Sequence, residues 1–349
     1  MRYILYVMGF FCWVDWLPYV DHTLLNYFNY FIIILFIIIL LRNIKNLFPL
    51  NNIQKILIFY LIYMIVCTLL NEYLFKLNIV INVLIIVLIL TKEISGTKHL
   101  TNGFIFGGFL TGLYMIFMTF DIINVTDYSG LNQFNFGEYF LNSKEMTTSI
   151  GFTNKYNKLS YLFSILIYII FSLNIKSIFK YTLVALILYL QIKTNGRGGF
   201  LISILFIGYL SITSKYKHIT APVLLLGFYF LINSFLFHGL RDRFKSDNSS
   251  SLSRFNQYNY AIENFSDNLF GSGYTTIAAF ENAPYIHNFF LNNLVMGGII
   301  GFATALSFIV ILFRRIMNSK MPKDLKVFLF LLFTMQTMFE NLNVITALG

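Results

Sequence analysis

Long apolar runs alternate with short polar breaks almost from one end of the chain to the other. Runs such as Tyr30–Leu41, Ile56–Leu70 and Leu77–Leu90 are apolar on every side rather than striped, and helices of that kind need lipid or other apolar helices as neighbours. The pattern predicts helices near Tyr3–Tyr19, Leu24–Leu41, Ile56–Phe75, Leu77–Thr91, Leu100–Phe120, Tyr156–Leu173, Tyr181–Ile192, Phe200–Thr213, Ile219–Phe237, Asn288–Phe313 and Val327–Leu348. The expected architecture is an all-α polytopic membrane protein, one integral membrane domain over residues 1–349 with about eleven transmembrane helices, in a range of about ten to twelve. The first stretch has only Arg2 ahead of it and lacks an Ala-x-Ala-like cleavage site, so it is expected to be retained as a helix.

Two polar intervals break the rhythm. The first, Asp121–Lys155, carries Asp121, Asp127, Glu138 and Glu145 and few basic residues. The second, Gly239–His287, is the longest water-compatible stretch in the chain and lies between the ninth and tenth predicted spans. Residues 239–286 are expected to form an extracytoplasmic loop carrying part of an active site.

Composition supports the membrane reading. Hydrophobic residues make up 57% and charged residues 11%, with a mean hydropathy of +0.70, whereas soluble domains hold about 45–50% apolar and about 25% charged residues. The net charge of +10 does not indicate nucleic acid, because the basic residues sit in short loops: Arg42, Lys45 and Lys55; Lys92, Lys98 and His99; Lys176 and Lys180; Lys215 and Lys217; Arg314, Arg315, Lys320, Lys323 and Lys326. These loops fall on one face of the alternating spans, as the positive-inside rule requires, which puts the N-terminus inside and the C-terminus outside. Cys12 and Cys67 both lie in apolar stretches and indicate neither a disulfide framework nor a clustered metal site.

Under that topology Arg197, Arg241, Arg243 and Arg254 fall on the face where arginine is normally scarce. A guanidinium presents a planar fork of donors that matches phosphate oxygens, so arginines gathered on one face point to an anionic headgroup or substrate. For Arg241 and Arg243 the alternative is ordinary solvated charge offset by Asp242, Asp247, Glu263 and Asp267. Arg197 is a sharper case. It stands among Gly196, Gly198 and Gly199 where one span ends and the next begins, so the following helix would aim its N–H groups at whatever anion Arg197 holds. The alternative is a snorkelling arginine on a simple hairpin.

His287 opens the tenth span, and a histidine there can accept a proton from an attacking hydroxyl or donate a hydrogen bond to a phosphate oxygen. The alternative is an interfacial polar residue, the class assigned to His22, His99, His218 and His238. The chain has no Asp-x-Asp motif, so a metal-dependent sugar-nucleotide transferase is not expected, and a leaving diphosphate would be stabilised by fixed charge from Arg197 and Arg254. A phosphate loop of the Gly-x-x-x-x-Gly-Lys type and a Gly-x-Ser-x-Gly nucleophile elbow are both missing.

Three pieces together resemble the superfamily of O-antigen ligases and Wzy-type O-antigen polymerases. Thr194-Asn195-Gly196-Arg197-Gly198-Gly199 is similar to the family's Arg-Gly-Gly turn opening a helix. Ser253-Arg254, then Tyr260-Ala261, then Asn268-Leu269-Phe270-Gly271-Ser272-Gly273 resembles its arginine followed by an Asn-Pro-Leu-x-Gly-x-Gly-like turn, with Leu269 in the proline's place. His287-Asn288-Phe289-Phe290-Leu291 with Gly297-Gly298-Ile299-Ile300-Gly301 resembles its His-Asn-x-x-Leu helix opening. A fourth piece, Gly151-Phe152-Thr153-Asn154-Lys155-Tyr156-Asn157, is similar to its Gly-Phe-x-Asn-x-Asn helix start. The likeness spans residues 151–301; the first five spans match in hydropathy alone.

The resemblance implies a GT-C-like, inverting, metal-independent glycosyltransferase without a cofactor, acting on a polyprenyl-diphosphate-linked oligosaccharide at the outer face of a bacterial cytoplasmic membrane. It implies Arg197 and Arg254 as diphosphate ligands and His287 as the acceptor-side catalytic residue; Arg241, Arg243, Asn288 and Asn157 are further candidate substrate contacts. A polymerase of O-antigen, capsule or exopolysaccharide repeats is expected, with membrane lipid and a chain-length regulator protein as further candidate partners. The alternatives are a ligase, which moves the same donor onto lipid A-core, and a transporter of lipid-linked oligosaccharides. Against the transporter, the acids Asp15, Glu72 and Glu340 all lie near predicted span ends. The pair Gly297 and Gly301 is assigned to helix packing.

Overall fold

The computed structural model describes residues 97–119, 156–194, 196–215, 249–263 and 288–339, together with Ile286 and scattered positions within 3–13, 52–66, 222–229 and 265–271. Among these described residues there are helices and turns and no strand, so the fold is all-α. The helices run in the order α1 Thr97–Thr119, α2 Tyr156–Ser172, α3 Ser177–Thr194, α4 Arg197–Thr213, α5 Ser249–Glu263, α6 Phe289–Asn318 and α7 Lys323–Phe339. All but α5 lie where an apolar run predicts a helix, and most extend a few residues into polar sequence, because hydropathy marks the apolar length of a helix and not its hydrogen-bonded ends.

Among the described residues α6 alone is long and apolar enough to cross a bilayer, with 30 residues and a mean hydropathy of 2.4 over its best 18-residue window. Shorter apolar helices of 10–17 residues occupy α1 to α4. The predicted spans near Tyr3–Tyr19, Leu24–Leu41, Ile56–Phe75, Leu77–Thr91 and Ile219–Phe237 lie wholly or largely outside the described residues. The chain divides into two compact units, residues 2–25 with 98–248, and residues 1, 26–97 and 249–349.

The unit that holds 98–248 is built around α2. Leu159, Phe163, Ile167 and Ile170 recur at helical spacing and share a core with Val184, Ile187 and Leu190 of α3. Trp13 lies in the same core, its ring 5.0 Å from Phe104 and 5.3 Å from Phe163. Small residues on α1 admit it. A Cβ at Gly107 would lie 2.6 Å from Trp13 Cδ1 and 2.8 Å from the Phe10 carbonyl oxygen.

In the other unit α6 is two helical segments joined at Gly298, whose φ of 58° and ψ of −153° belong to a region open essentially to glycine alone. The turn Leu269–Gly271 sits in the break. The Ile299 N–H, which a continuous helix would direct at Val295, donates instead to the Leu269 carbonyl at 3.0 Å. Gly271 is also left-handed, with φ 85°, and a Cβ there would strike the backbone of Gly297 and Gly298. Past the break α6 runs to Asn318, and α7 returns alongside it with the Phe330 ring 5.3 Å from that of Phe313 and tilted 40° to it.

Both units use the same hairpin. Lys180 Nζ donates to the Phe171 carbonyl at 3.0 Å where α2 turns into α3, and Lys326 Nζ donates to the Met317 carbonyl at 2.7 Å where α6 turns into α7. In each case a lysine nine residues along the chain covers carbonyls that the ending helix leaves open, and its charge complements the helix dipole.

Candidate functional site

Arg197 is the first residue of α4 and is half-buried. Gly196 is the N-cap, extended at φ −83° and ψ 103°, and it offers no side chain to close the helix. The turn is held by α2 and α3. Ser160 Oγ donates to the Gly196 carbonyl at 2.8 Å, and Gln191 Nε2 donates to the Ser160 carbonyl at 2.8 Å, with both side chains fully buried. Gly199 is packed so tightly that a Cβ would overlap the backbone of Ser160, and one at Gly198 would overlap the Tyr161 hydroxyl.

The glycines of this turn therefore serve the contact between α4 and α2, and they fix where the α4 N-terminus points. Arg197 is not explained in that way. A cation in the first turn opposes the positive end of the helix dipole, an effect of about 0.3–1 kcal/mol, whereas an anion seated there is attracted by the dipole and the guanidinium together.

The other candidate residues belong to the unit containing 249–349. Helix α5 is polar on average, yet Gln257 and Ala261 are buried, and Ala261 forms a small core with Ile286 and Val295. Position 254 precedes Gln257 by one turn and Ala261 by two, which places it on the same helix face. The side chain of Arg254 lies outside the described residues, as do His287, Arg241 and Arg243. Asn157 falls in the first turn of α2, and its side chain is also outside that set.

The residues that flank position 287 are held by hydrogen bonds. The Asn288 N–H donates to the Ile286 carbonyl at 2.8 Å, and the Ile286 N–H donates to Asn292 Oδ1 at 3.1 Å. Asn288 caps α6, accepting from the Leu291 N–H at 3.0 Å through Oδ1 and donating to the Met338 carbonyl at 3.2 Å through Nδ2. Its amide is committed to the fold at both ends. One turn on, Asn293 accepts from the Tyr60 hydroxyl and donates to the Phe289 carbonyl at 2.7 Å, and Tyr63 donates to the Phe270 carbonyl at 2.8 Å. No protein-family model, curated protein or solved structure matches the chain.

The structure thus brings the helix bearing Arg254 against the residue before His287, and keeps Arg197 in the other unit at the start of α4. Sequence reading treats 239–286 as loop and misses α5, although Leu252, Phe255, Tyr258 and Ala261 recur at one-turn spacing after a run of serines that favours a helix start. It also passes over Asn292 and Asn293. Two adjacent amides inside an apolar run are a signal in themselves, since polar groups there are costly unless bonded, and both prove to be buried and hydrogen-bonded.

Proposed function

We propose that the chain is a multi-pass protein of a bacterial cytoplasmic membrane that polymerises lipid-linked polysaccharide repeats on the extracytoplasmic face. About eleven spans, a GT-C-like arrangement and the outward-facing 239–286 interval belong to this reading. In the reaction His287 takes the proton of an acceptor hydroxyl as its oxygen attacks the anomeric carbon of the donor glycan. The bond from that carbon to the diphosphate breaks, its electron pair leaves on the phosphate oxygen, and Arg197 and Arg254 stabilise the charge that develops. Arg241 and Arg243 contribute to holding the anionic donor.

The observation that carries the reading is the packing of Ala261 with Ile286, which draws the Arg254 helix to the residue preceding His287. Support also comes from the motif residues that have structural work: Gly198, Gly199, Gly271, Gly298 and Asn288 all act as packing, turn or capping positions. Asn288 accordingly serves by fixing the chain at position 287.

The interrupted α6 is an observation that bears on the transporter alternative, because transporters build substrate sites at broken helices. Here the freed Ile299 N–H is bonded to the chain's own Leu269, so the break is occupied by protein. Deleting the gene tests the polymerase against the ligase. The polymerase reading expects loss of the ladder of glycan chain lengths with single repeats still attached; loss of all attached glycan would overturn it in favour of the ligase.

A further inference from the structure

The break in α6 has a second consequence. Its first segment, Phe289–Gly297, carries position 287 at its tip and the α5 contact on its flank, so the direction of that segment fixes the acceptor side of the proposed site. Four contacts set that direction, and all converge on the Leu269–Gly271 turn or on the segment itself. The turn accepts the Ile299 N–H at Leu269 and the Tyr63 hydroxyl at Phe270, and Gly271 lies against the backbone of Met296, Gly297 and Gly298. Tyr60, one turn from Tyr63, donates to Asn293 on the segment.

The seat has no slack. A Cβ at Gly298 would overlap the Leu269 carbonyl, and one at Gly301 would lie 2.7 Å from the Asn293 carbonyl oxygen. An alanine at position 298 disfavours the observed backbone and favours a continuous helix, in which the Ile299 N–H returns to Val295 and the turn loses its place. In an apolar surrounding, backbone left without a partner is costly, so the turn and the break are expected to stand or fall together.

We infer that the Leu269–Gly271 turn is a positioning element: seated in the break of α6 and tied down by Tyr63, while Tyr60 holds the segment itself through Asn293, it sets the direction of the segment that follows position 287 relative to α5. The inference rests on the polymerase reading for its kinetic consequence, and on geometry alone for the orientation.

The test uses the full chain in nanodiscs with Cys12 and Cys67 replaced by Ser and spin labels at Ile262 on α5 and Leu306 beyond the break, both exposed. The expected result is one distance in the parent protein and a shifted or broadened distribution in Gly298→Ala; an unchanged distribution would overturn the inference. Tyr63→Phe removes one hydroxyl and keeps the ring, so it guards against a Gly298→Ala protein that does not fold. For Tyr63→Phe the expectation is a broadened distance and, with a lipid-diphosphate repeat as substrate, a kcat lowered about tenfold at constant KM. An unaltered distance and kcat in Tyr63→Phe would contradict the proposal. If the parent protein makes no polymer, the polymerase reading fails, and the distance measurement alone decides the positioning claim.

Discussion

Gly198 and Gly199 stand side by side at the start of α4 and meet different neighbours. Alanine at either position gains about 1 kcal/mol of helix propensity. At Gly198 the new methyl meets the hydroxyl and ring of the buried Tyr161 side chain, which must shift within the core; at Gly199 it meets the backbone of Ser160 in a fully buried position, where nothing but backbone can give and overpacking costs about 1–3 kcal/mol. Gly198→Ala is expected to melt below the parent protein, and Gly199→Ala lower still, by thermal unfolding of the purified protein in detergent. Equal melting temperatures would show that α2 and α4 do not meet as closely as described. The sequence made the Gly-Arg-Gly-Gly turn legible, because glycines beside an arginine at a span boundary are visible in one dimension. It did not reveal that the glycines serve a neighbouring helix, since that neighbour lies far away along the chain.

At the scale of elements the recurring hairpin and the broken helix behave differently under substitution. Lys326→Met keeps the aliphatic length of the side chain and removes the charge that covers the end of α6, a contact exposed to solvent and worth about 0.3–1 kcal/mol. A melting temperature lower by roughly 2–4 °C per kcal/mol is expected, with no effect on any activity of the site. A larger loss, or a loss of activity, would mean that the α6–α7 connection does more than end a helix. The apolar runs made α1 to α4, α6 and α7 legible because burial along a helix writes its length in hydropathy. Helix α5 was not, because its mean composition is polar, and of its described side chains Gln257 and Ala261 are the buried ones. The break at Gly298 was not either, because a positive φ leaves no periodic trace and Gly297-Gly298 reads equally well as a packing site.

For the whole molecule, the all-α character follows from the apolar pattern and from the helices and turns that make up the described residues. Arg197 stands at the start of α4 in one unit, and positions 254 and 287 belong to the other. That division explains why single-motif reading of the sequence is weak here: each motif mostly describes local turns and caps, and the residues left for chemistry are distributed along the chain. The most direct measurement is chain growth by the purified protein from a lipid-diphosphate repeat in the presence of a chelator, comparing the parent with Arg197→Ala, Arg197→Lys, Arg254→Ala and His287→Ala at matched folding. A ladder of products is expected from the parent without added metal, and at least about a hundredfold less from every variant, Arg197→Lys included because an ammonium cannot make the paired phosphate contacts of a guanidinium. Chain growth by His287→Ala at the parent rate, or a parent protein that extends no chain, would contradict it.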